Sequence, residues 1–322
     1  MDEALTPVVS RRDFLGAAGA GAALALAGGD AHAAEKTVLP MKVLGRTRVR
    51  VPVLGLGTAP AGYRPEKEAV AFYHKCIDSG LTYIDTAPEF AGYGKAQVYL
   101  GHVLKERRKE VFLVTKCFEP DGEKALKLLK KNLAELQVEQ ADLVYAHSIG
   151  DDKMSPEKIY AADGVCKALE KARRDGLTRF VGVSGHNRPD RFLKALQEWD
   201  YDVQMNAVSL VARHIYQFEE KVWPRAAEKG VGLAAMKVFG GSTKAPKGAR
   251  MPDAMKQDAL RYALGLPPVS VVVVGIHDDE ELKQNLAWLK AYKPLSAEEL
   301  NALDGPTREL ARKWDKPYGP VA

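Results

Sequence analysis

Three ionisable side chains stand at the ends of three consecutive apolar runs. Asp85 lies in "TYIDT", Lys116 closes "VFLVTK" and His147 closes "DLVYAH". A carboxylate, an ammonium and an imidazole can together hold, donate and orient protons. Each alone has an ordinary structural explanation, as a loop cap, a solvated turn or a satisfied strand-end histidine. At matching ends of adjacent strands, however, the three predict one reactive site.

The elements that must position these side chains are eight apolar runs that alternate with amphipathic segments. The runs cover residues 52–57, 82–86, 111–116, 142–147, 179–185, 202–206, 231–237 and 269–275. The helical segments cover 66–79, 94–108, 121–136, 156–175, 188–198, 217–229, 253–265 and 278–291. Eight such units predict an α/β fold, a closed (β/α)8 TIM barrel whose chemistry lies at the C-terminal ends of the strands. An N-terminal β-hairpin turning at Gly45 and a C-terminal helical tail complete the prediction.

A doubly wound dinucleotide-binding fold is the main alternative architecture. Gly55, Gly57 and Gly62 loosely resemble a glycine-rich phosphate loop. In that fold the helix begins within the loop, so that its N-terminus meets the pyrophosphate. Here Pro60 and the "YRPEKE" stretch delay the helix, and the third glycine is out of register. The eight units therefore favour the barrel.

Composition excludes several classes of protein. The 322 residues are 46% hydrophobic and 28% charged with a net charge of +5, which is typical of a soluble globular chain and not of a disordered one. The basic runs "KERRKE" and "KLLKK" carry acids nearby and fit solvated helix faces, so we expect no nucleic-acid partner. Three isolated cysteines argue against a metal site and against a disulfide framework.

The N-terminus has the pattern of an export signal. Residues 1–33 contain the pair Arg11-Arg12, a short Gly/Ala-rich apolar stretch and the sequence Ala31-His32-Ala33. Together these predict a twin-arginine signal peptide cut after Ala33, with the export machinery as a partner and the periplasm or another exported location as the destination. A leader that is never exported is the alternative. Residues 34–322 are then expected to form a single barrel domain with no membrane span.

The motifs along the mature chain resemble those of the aldo-keto reductases. They are "DTA" at 85–87 with a downstream Tyr-Gly, "VFLVTK", "DLVYAH", "VGVSGHN", "VQMN", "AMKVFGG" and "GIHDDEELKQN". The resemblance implies NAD(P)H-dependent reduction of an aldehyde or ketone to an alcohol, or the reverse, with a tyrosine as general acid. A lysine beside that tyrosine lowers its pKa from about 10. Lys116 would take this role, Asp85 would pair with it, and His147 would orient the substrate carbonyl.

The position of the tyrosine departs from the family pattern. The family places it where Phe90 stands, and the loop here carries one extra residue. Tyr93 is followed by Gly94 as the pattern requires, so a shifted loop could deliver its hydroxyl to the same point. A phenylalanine cannot donate a proton. We therefore predict Tyr93 as the acid, and a cofactor-binding protein with poor turnover if Phe90 occupies that place instead.

The cofactor residues that the resemblance implies come from four strand ends. The nicotinamide carboxamide would be held by Ser184, Asn187 and Gln204, and the ring covered by Met236. The pyrophosphate would lie near Lys237, Gly240 and Gly241. Adenine contacts fit Gln284 and Asn285. Many relatives place an arginine for the 2′-phosphate where Glu281 stands, although His277 or Lys283 could serve it, so we expect NADP with NAD as the alternative.

The substrate is predicted only as a small carbonyl compound. Four aromatic residues could form an apolar wall that suits an aromatic aldehyde, namely Tyr63, Phe118, Tyr216 and Trp314. Two other functions stay open. One is a nicotinamide-cofactor-binding sensor or partner protein with little turnover, which Phe90 and Met236 favour. The other is an unrelated barrel lyase or hydrolase using Asp85, Lys116 and His147, which would leave Ser184 and Gln204 without a role.

Overall fold

The structure is a computed structural model that describes residues 38–241 and 249–322. The predicted signal peptide, residues 1–33, and the cut after Ala33 lie outside the described residues and stay predictions. Within the described ranges, no helix is both long enough and apolar enough to cross a membrane.

The predicted barrel is confirmed. The strands are β1 (Met41–Val43), β2 (Arg50–Pro52), β3 (Leu54–Gly57), β4 (Tyr83–Asp85), β5 (Phe112–Cys117), β6 (Ala141–His147), β7 (Thr178–Gly185), β8 (Val203–Ala207), β9 (Gly232–Met236) and β10 (Val269–Gly275). β3 to β10 pair in parallel and in chain order, and β10 closes on β3. Closure brings the C-terminal ends of all eight strands to one mouth.

Helices cover the outside of the barrel and follow the predicted order. They are α1 (Glu66–Asp78), α2 (Ala96–Arg107), α3 (Gly122–Glu135), α4 (Pro156–Ile159), α5 (Val165–Arg174), α6 (Pro189–Glu198), α7 (Phe218–Lys221), α8 (Trp223–Glu228), α9 (Asp253–Gly265), α10 (Asp279–Lys290) and α11 (Ala297–Trp314). α11 is the predicted C-terminal helical tail.

Two predicted helices are each split in two. The segment 156–175 breaks between α4 and α5 because its turn bonds to a neighbouring loop: Val165 N donates to Pro120 O at 2.9 Å, and Gly122 N to Asp163 O at 2.7 Å. The segment 217–229 breaks between α7 and α8, where Pro224 stands in the first turn of α8. Proline lacks an N–H and is tolerated at a helix start but not in the interior.

The N-terminal hairpin closes the bottom of the barrel. β1 and β2 pair antiparallel, as predicted. The plug (residues 44–51), which is the turn together with the first two residues of β2, inserts Leu44 and Val51 into the barrel interior. Arg46 N donates to Gly230 O at 2.6 Å, which ties the plug to the start of β9. Solvent is thereby excluded from the end opposite the mouth.

The barrel interior is filled by alternate residues of each strand. Tyr83, Val114, Tyr145 and Met205 belong to this inner cluster. Because successive strand residues point to opposite faces, Asp85, Lys116 and His147 continue the inward-facing rows at the mouth. Lower in the barrel the Tyr83 and Phe112 rings stack with centroids 5.3 Å apart, an arrangement worth about 0.5–1.5 kcal/mol beyond area burial. The floor beneath the reactive side chains is therefore rigid.

Candidate active site

Asp85 and Lys116 form a buried ion pair at the mouth. Lys116 Nζ lies 2.5 Å from Asp85 Oδ2, and the two side chains are only 1% and 4% exposed. The ammonium also donates to the backbone oxygen of Thr86 at 2.9 Å. A buried charge is tolerated only when it is paired and hydrogen-bonded, so these contacts fix both groups in one geometry.

Tyr93 joins this pair and completes an acid–base cluster (Asp85, Tyr93 and Lys116). Lys116 Nζ donates to the Tyr93 hydroxyl at 3.1 Å, and the hydroxyl donates to Asp85 Oδ2 at 3.3 Å. The glycines on either side have positive φ, +83° at Gly92 and +52° at Gly94, a backbone that L side chains rarely adopt. This turn directs Tyr93 inward, whereas Phe90 on the same loop is 59% exposed.

The electrostatics of the cluster differ from the expectation in one respect. Burial raises the pKa of the Tyr93 phenol above its ordinary value, and the Lys116 ammonium offsets only part of that rise. Burial alone would lower the pKa of Lys116, but the adjacent Asp85 carboxylate and Tyr93 outweigh it and the pKa is raised. The expected net lowering of the tyrosine pKa is therefore wrong for the protein without ligands, although the lysine acts in the expected direction.

His147 stands two strands from Asp85, at the end of β6. Its Nδ1 lies 2.8 Å from the hydroxyl of Ser184, the residue opposite it on β7. The Phe118 and His186 rings lie against the imidazole, with centroids 6.0 and 5.6 Å away. Tyr318 of the C-terminal tail packs on His186 at 5.6 Å. The imidazole is thus held by an aromatic wall on the side of the mouth formed by β6 and β7.

One of the four aromatic residues predicted to line a substrate wall packs against His147. That residue is Phe118. Tyr216 is fully buried and donates its hydroxyl to Gly319 O at 3.0 Å. Trp314 is buried, and Tyr63 is 66% exposed. His186 packs on the imidazole, Tyr318 packs on His186, and Tyr216 stacks on Tyr318. The aromatic wall for the substrate stays a prediction.

Gln204 and Asn187 make hydrogen bonds away from the acid–base cluster. Val203 and Met205 of β8 point into the barrel, so Gln204 points outward to the helices. Its amide oxygen accepts from the Tyr201 hydroxyl and its nitrogen donates to Asn206 Oδ1, both at 2.6 Å. These contacts use the groups that the predicted carboxamide grip requires.

Asn187 is used within the protein as well. Its amide nitrogen donates to Gly150 O at 3.3 Å, in the loop that follows β6. A Cβ placed on Gly319 would lie 3.0 Å from the same nitrogen, so the C-terminal tail passes close to it. Asn187 therefore ties the β7 loop to its surroundings, and its service with Ser184 to a carboxamide stays a prediction.

Met236 ends β9 and Lys237 follows it, beside the acid–base cluster. Met236 belongs to the inner cluster and is nearly buried. Lys237 has φ +60°, and burial together with the Lys116 ammonium lowers its pKa to about 8, with Asp85 opposing the shift. No hydrogen bond or ion pair joins its ammonium to the residues described. The mouth therefore carries two lysines around one carboxylate.

Gly240 and Gly241 have a role inside the protein. A Cβ on Gly240 would lie 2.5 Å from the Trp314 ring, so only glycine fits beneath that indole. Gly241 N donates to Ala249 O at 2.7 Å. The predicted close approach at Gly240 is therefore made to Trp314, which explains this residue without a phosphate.

The start of α10 is acidic. Asp278 caps the helix by accepting from Glu281 N at 2.8 Å. Glu281 Oε2 accepts from His277 N at 2.8 Å and lies 2.9 Å from the His277 ring. Gln284 is exposed, and Asn285 donates to Glu281 O at 2.7 Å while its Oδ1 is buried without a partner among the residues described. His277 is thus paired with Glu281, which opposes its service to a phosphate.

Two polar atoms at the mouth lack a partner among the described residues. They are Asp85 Oδ1 and Thr86 Oγ1, and both are buried. Buried polar atoms are nearly always hydrogen-bonded, so each is free to accept from or donate to a bound molecule. Thr86 and His186 were missed as site residues by sequence reasoning. Their only signal was adjacency to Asp85 and Ser184 in the chain.

Comparison with known proteins gives a consistent result. The profile described as "Aldo/keto reductase family" matches residues 53–259. The chain is 25% identical to pyridoxal 4-dehydrogenase of Microbacterium luteolum over 79% of this chain and 94% of that protein. It is 29% identical to L-galactose dehydrogenase of Arabidopsis thaliana over 46% of this chain and 49% of that protein. An aldo/keto reductase of Klebsiella pneumoniae, solved with NADP and acetate, superposes with a TM-score of 0.65 at 23% identity, over 89% of this chain and 98% of that chain.

Proposed function

The chain belongs to the aldo/keto reductase family, and from that premise we propose that Asp85, Tyr93, Lys116 and His147 perform NAD(P)-dependent carbonyl reduction. The observation that carries the proposal is the contact of the Tyr93 hydroxyl with both Lys116 and Asp85. An oxidoreductase of this family needs a phenolic proton donor beside a lysine, and the loop around Gly92 and Gly94 supplies it.

A nicotinamide cofactor fits the residues at the mouth. The buried, unpartnered Asp85 Oδ1 and Thr86 Oγ1 would bind ribose hydroxyls, and the Lys237 ammonium would balance phosphate charge. Met236 would cover the ring face. When bound, the reduced cofactor supplies a hydride to the carbonyl carbon.

The chain's own residues supply the matching proton. Tyr93 donates its phenolic proton to the carbonyl oxygen as negative charge develops there, and Lys116 stabilises the phenolate that is left. Asp85 keeps the Lys116 ammonium charged and directed at the Tyr93 hydroxyl. His147 binds the same oxygen and orients the carbonyl. In the reverse direction the phenolate takes the proton back from the alcohol.

The acidic start of α10 supports NAD(H) as the preferred form of the cofactor. Glu281 stands where the resemblance implies an arginine for the 2′-phosphate, and it occupies His277. Asp279 and Glu280 lie in the same helical turn, where Lys75 and Lys283 balance their charges. A 2′-phosphate would be repelled there, whereas a ribose diol could donate to the carboxylates. This proposal departs from the NADP expected from the family's habit.

The substrate proposal is a small carbonyl compound with a flat or apolar portion. Phe118 lies against His147, so a ring attached to the carbonyl carbon would pack on Phe118 while the oxygen meets His147 and Tyr93. A sensor with little turnover is disfavoured by the exposure of Phe90, since the proton donor that such a protein lacks is present as Tyr93.

The test is a fluorescence titration with NADH and NADPH, followed by turnover on an aromatic aldehyde. Tyr93→Phe is expected to lower kcat by about 10²–10⁴-fold while both dissociation constants stay within about twofold. Tyr160→Phe is the matched control, because that buried hydroxyl has no hydrogen-bond partner among the described residues. Full turnover by Tyr93→Phe would reject the assigned acid. NADPH binding more tightly than NADH would reject the cofactor preference.

We further propose export by the twin-arginine route, supported by Arg11-Arg12 and the Ala31-His32-Ala33 site. Replacement of both arginines by lysine is expected to retain the full-length precursor in the cytoplasm, as measured by cell fractionation and mass of the purified chain. Unchanged export of that variant would contradict the proposal.

A further inference from the structure

We propose that Ser184 is a positioning residue that fixes the imidazole of His147 in the tautomer with its proton on Nε2. Ser184 is the last residue but one of β7 and His147 ends β6, and the two are paired in register across the parallel ladder. Their contact, Nδ1 to Oγ, measures 2.8 Å. This role differs from the carboxamide contact that the sequence predicts for Ser184.

The direction of this hydrogen bond follows from burial. Ser184 is fully buried. Among the described residues, the hydrogen-bond partner of the Ser184 hydroxyl is Nδ1 of His147. If Nδ1 carried a proton, the serine hydrogen would be buried without an acceptor, which native structures avoid. The hydroxyl therefore donates and Nδ1 accepts. A neutral imidazole that accepts at Nδ1 carries its hydrogen on Nε2.

The strand backbone keeps the donor in place. Ser184 O accepts from Ile149 N at 3.2 Å, which ties the end of β7 to the loop that follows His147. On the other side the His186 ring meets the imidazole edge-on at 5.6 Å and limits its rotation. Serine and histidine are thus held as a unit at the top of two adjacent strands.

The consequence for the reaction is the polarity of the second ring nitrogen. A carbonyl oxygen that gains negative charge needs a hydrogen-bond donor, and Nε2–H is one. The opposite tautomer would present a lone pair to that oxygen and repel it. The inference rests on the proposed function in one respect, namely that His147 faces the substrate carbonyl.

A spectroscopic test does not depend on turnover. Long-range ¹H–¹⁵N correlation spectra of the ligand-free, ¹⁵N-histidine-labelled protein report the tautomer of each ring, and His147→Gln identifies the signal. We expect the Nε2–H form in the wild type and in Ser184→Thr, and a mixture of tautomers in Ser184→Ala. An Nδ1–H form in the wild type, or an unchanged ring in Ser184→Ala, would overturn the proposal even if the enzyme is active.

Kinetics then separate positioning from cofactor binding. Ser184→Ala should lower kcat about tenfold, since a ring released from one tautomer populates the productive form less. Dissociation constants for NADH should stay within about twofold, and Ser184→Thr should restore kcat. The matched control is Ser270→Ala. It removes a buried serine hydroxyl on β10 that donates to Val43 O of β1. Weaker NADH binding with kcat retained would assign Ser184 to the cofactor and reject the positioning role.

Discussion

Each end of the barrel holds a buried aspartate with cationic partners, and the two aspartates differ in how many of their carboxylate oxygens are hydrogen-bonded. At the bottom, Asp142 Oδ2 pairs with Arg108 at 2.9 Å and accepts from Leu113 N at 2.8 Å, while Oδ1 pairs with Arg179 at 2.6 Å. At the mouth, Oδ2 of Asp85 receives both Lys116 and Tyr93, and Oδ1 has no partner among the described residues.

The difference separates a carboxylate that holds strands together, Asp142, from one that keeps an oxygen available for a bound group, Asp85. Asp142 has both oxygens satisfied, so nothing is gained there by binding a further group. The mouth has an unsatisfied oxygen and a second lysine, Lys237, in the same electrostatic environment. Such incomplete satisfaction is costly in a folded protein and persists where a ligand completes it.

The largest expected effect comes from breaking the mouth pair. Lys116→Met should reduce kcat/KM by about 10³-fold, because the phenolate of Tyr93 loses its stabilising charge. It should also destabilise the fold by about 3–5 kcal/mol, because Asp85 is left as an uncompensated buried charge. Steady-state kinetics and thermal unfolding measure the two effects.

The double variant Asp85→Asn/Lys116→Met is the control for that experiment. It removes both charges, so stability should recover in part while activity stays lost. If the double variant recovered both stability and activity, or if Lys116→Met lost neither, the pair would not be the functional one.

An intermediate effect is expected at the bottom of the barrel. Asp142→Ala removes the carboxylate that Leu113 N and two arginines share, and should lower the free energy of unfolding by about 2–3 kcal/mol. The arginines remain partly exposed and regain water, which limits the loss. In urea titrations the midpoint should fall, with kcat unchanged at a temperature where the variant is folded. A kcat loss comparable to that of Lys116→Met would erase the distinction between the two ends.

The smallest expected effect concerns Lys237 and its role in binding the dinucleotide. An anionic dinucleotide favours the ammonium of Lys237, and this charge is lost as pH rises through its pKa of about 8. Affinity for NADH should therefore fall from pH 7 to pH 9.5. Lys237→Met should bind about tenfold more weakly at pH 7, or about 1.4 kcal/mol, and show a flat pH profile. Lys290→Met, at an exposed position, is the control, and an equal pH dependence in Lys237→Met would contradict the assignment.

The barrel could be predicted from the sequence, but the face on which some side chains lie could not. Eight apolar runs at regular spacing define the strands, and all eight are found. In "VQMN" apolar and polar residues alternate, which puts Val203 and Met205 on one face and Gln204 on the other. Both faces of a barrel strand are buried, so the alternation alone does not tell which face points inward. A shift of one residue reverses the face, and the structure assigns the inward position to Met205.

The candidate site was predictable where it depends on strand ends and less so where it depends on loops. Asp85, Lys116 and His147 follow from the topology. Tyr93 reaches them through the left-handed turns at Gly92 and Gly94, and one inserted residue in this loop hides that geometry. The contact between Ser184 and His147 exists only because neighbouring strands set their register on closure.

The hairpin at the bottom of the barrel also limits how far the chain could be trimmed from its N-terminus. Leu39 is already part of the core, Pro40 O accepts from Val53 N at 2.9 Å, and Lys42 Nζ donates to Val269 O at 3.0 Å. A protease acting after Ala33 would leave a short tether ahead of this anchor. One that cut beyond Leu39 would loosen the plug and open the barrel from beneath. Any proteolytic trimming from the N-terminus therefore has a limit set by the fold.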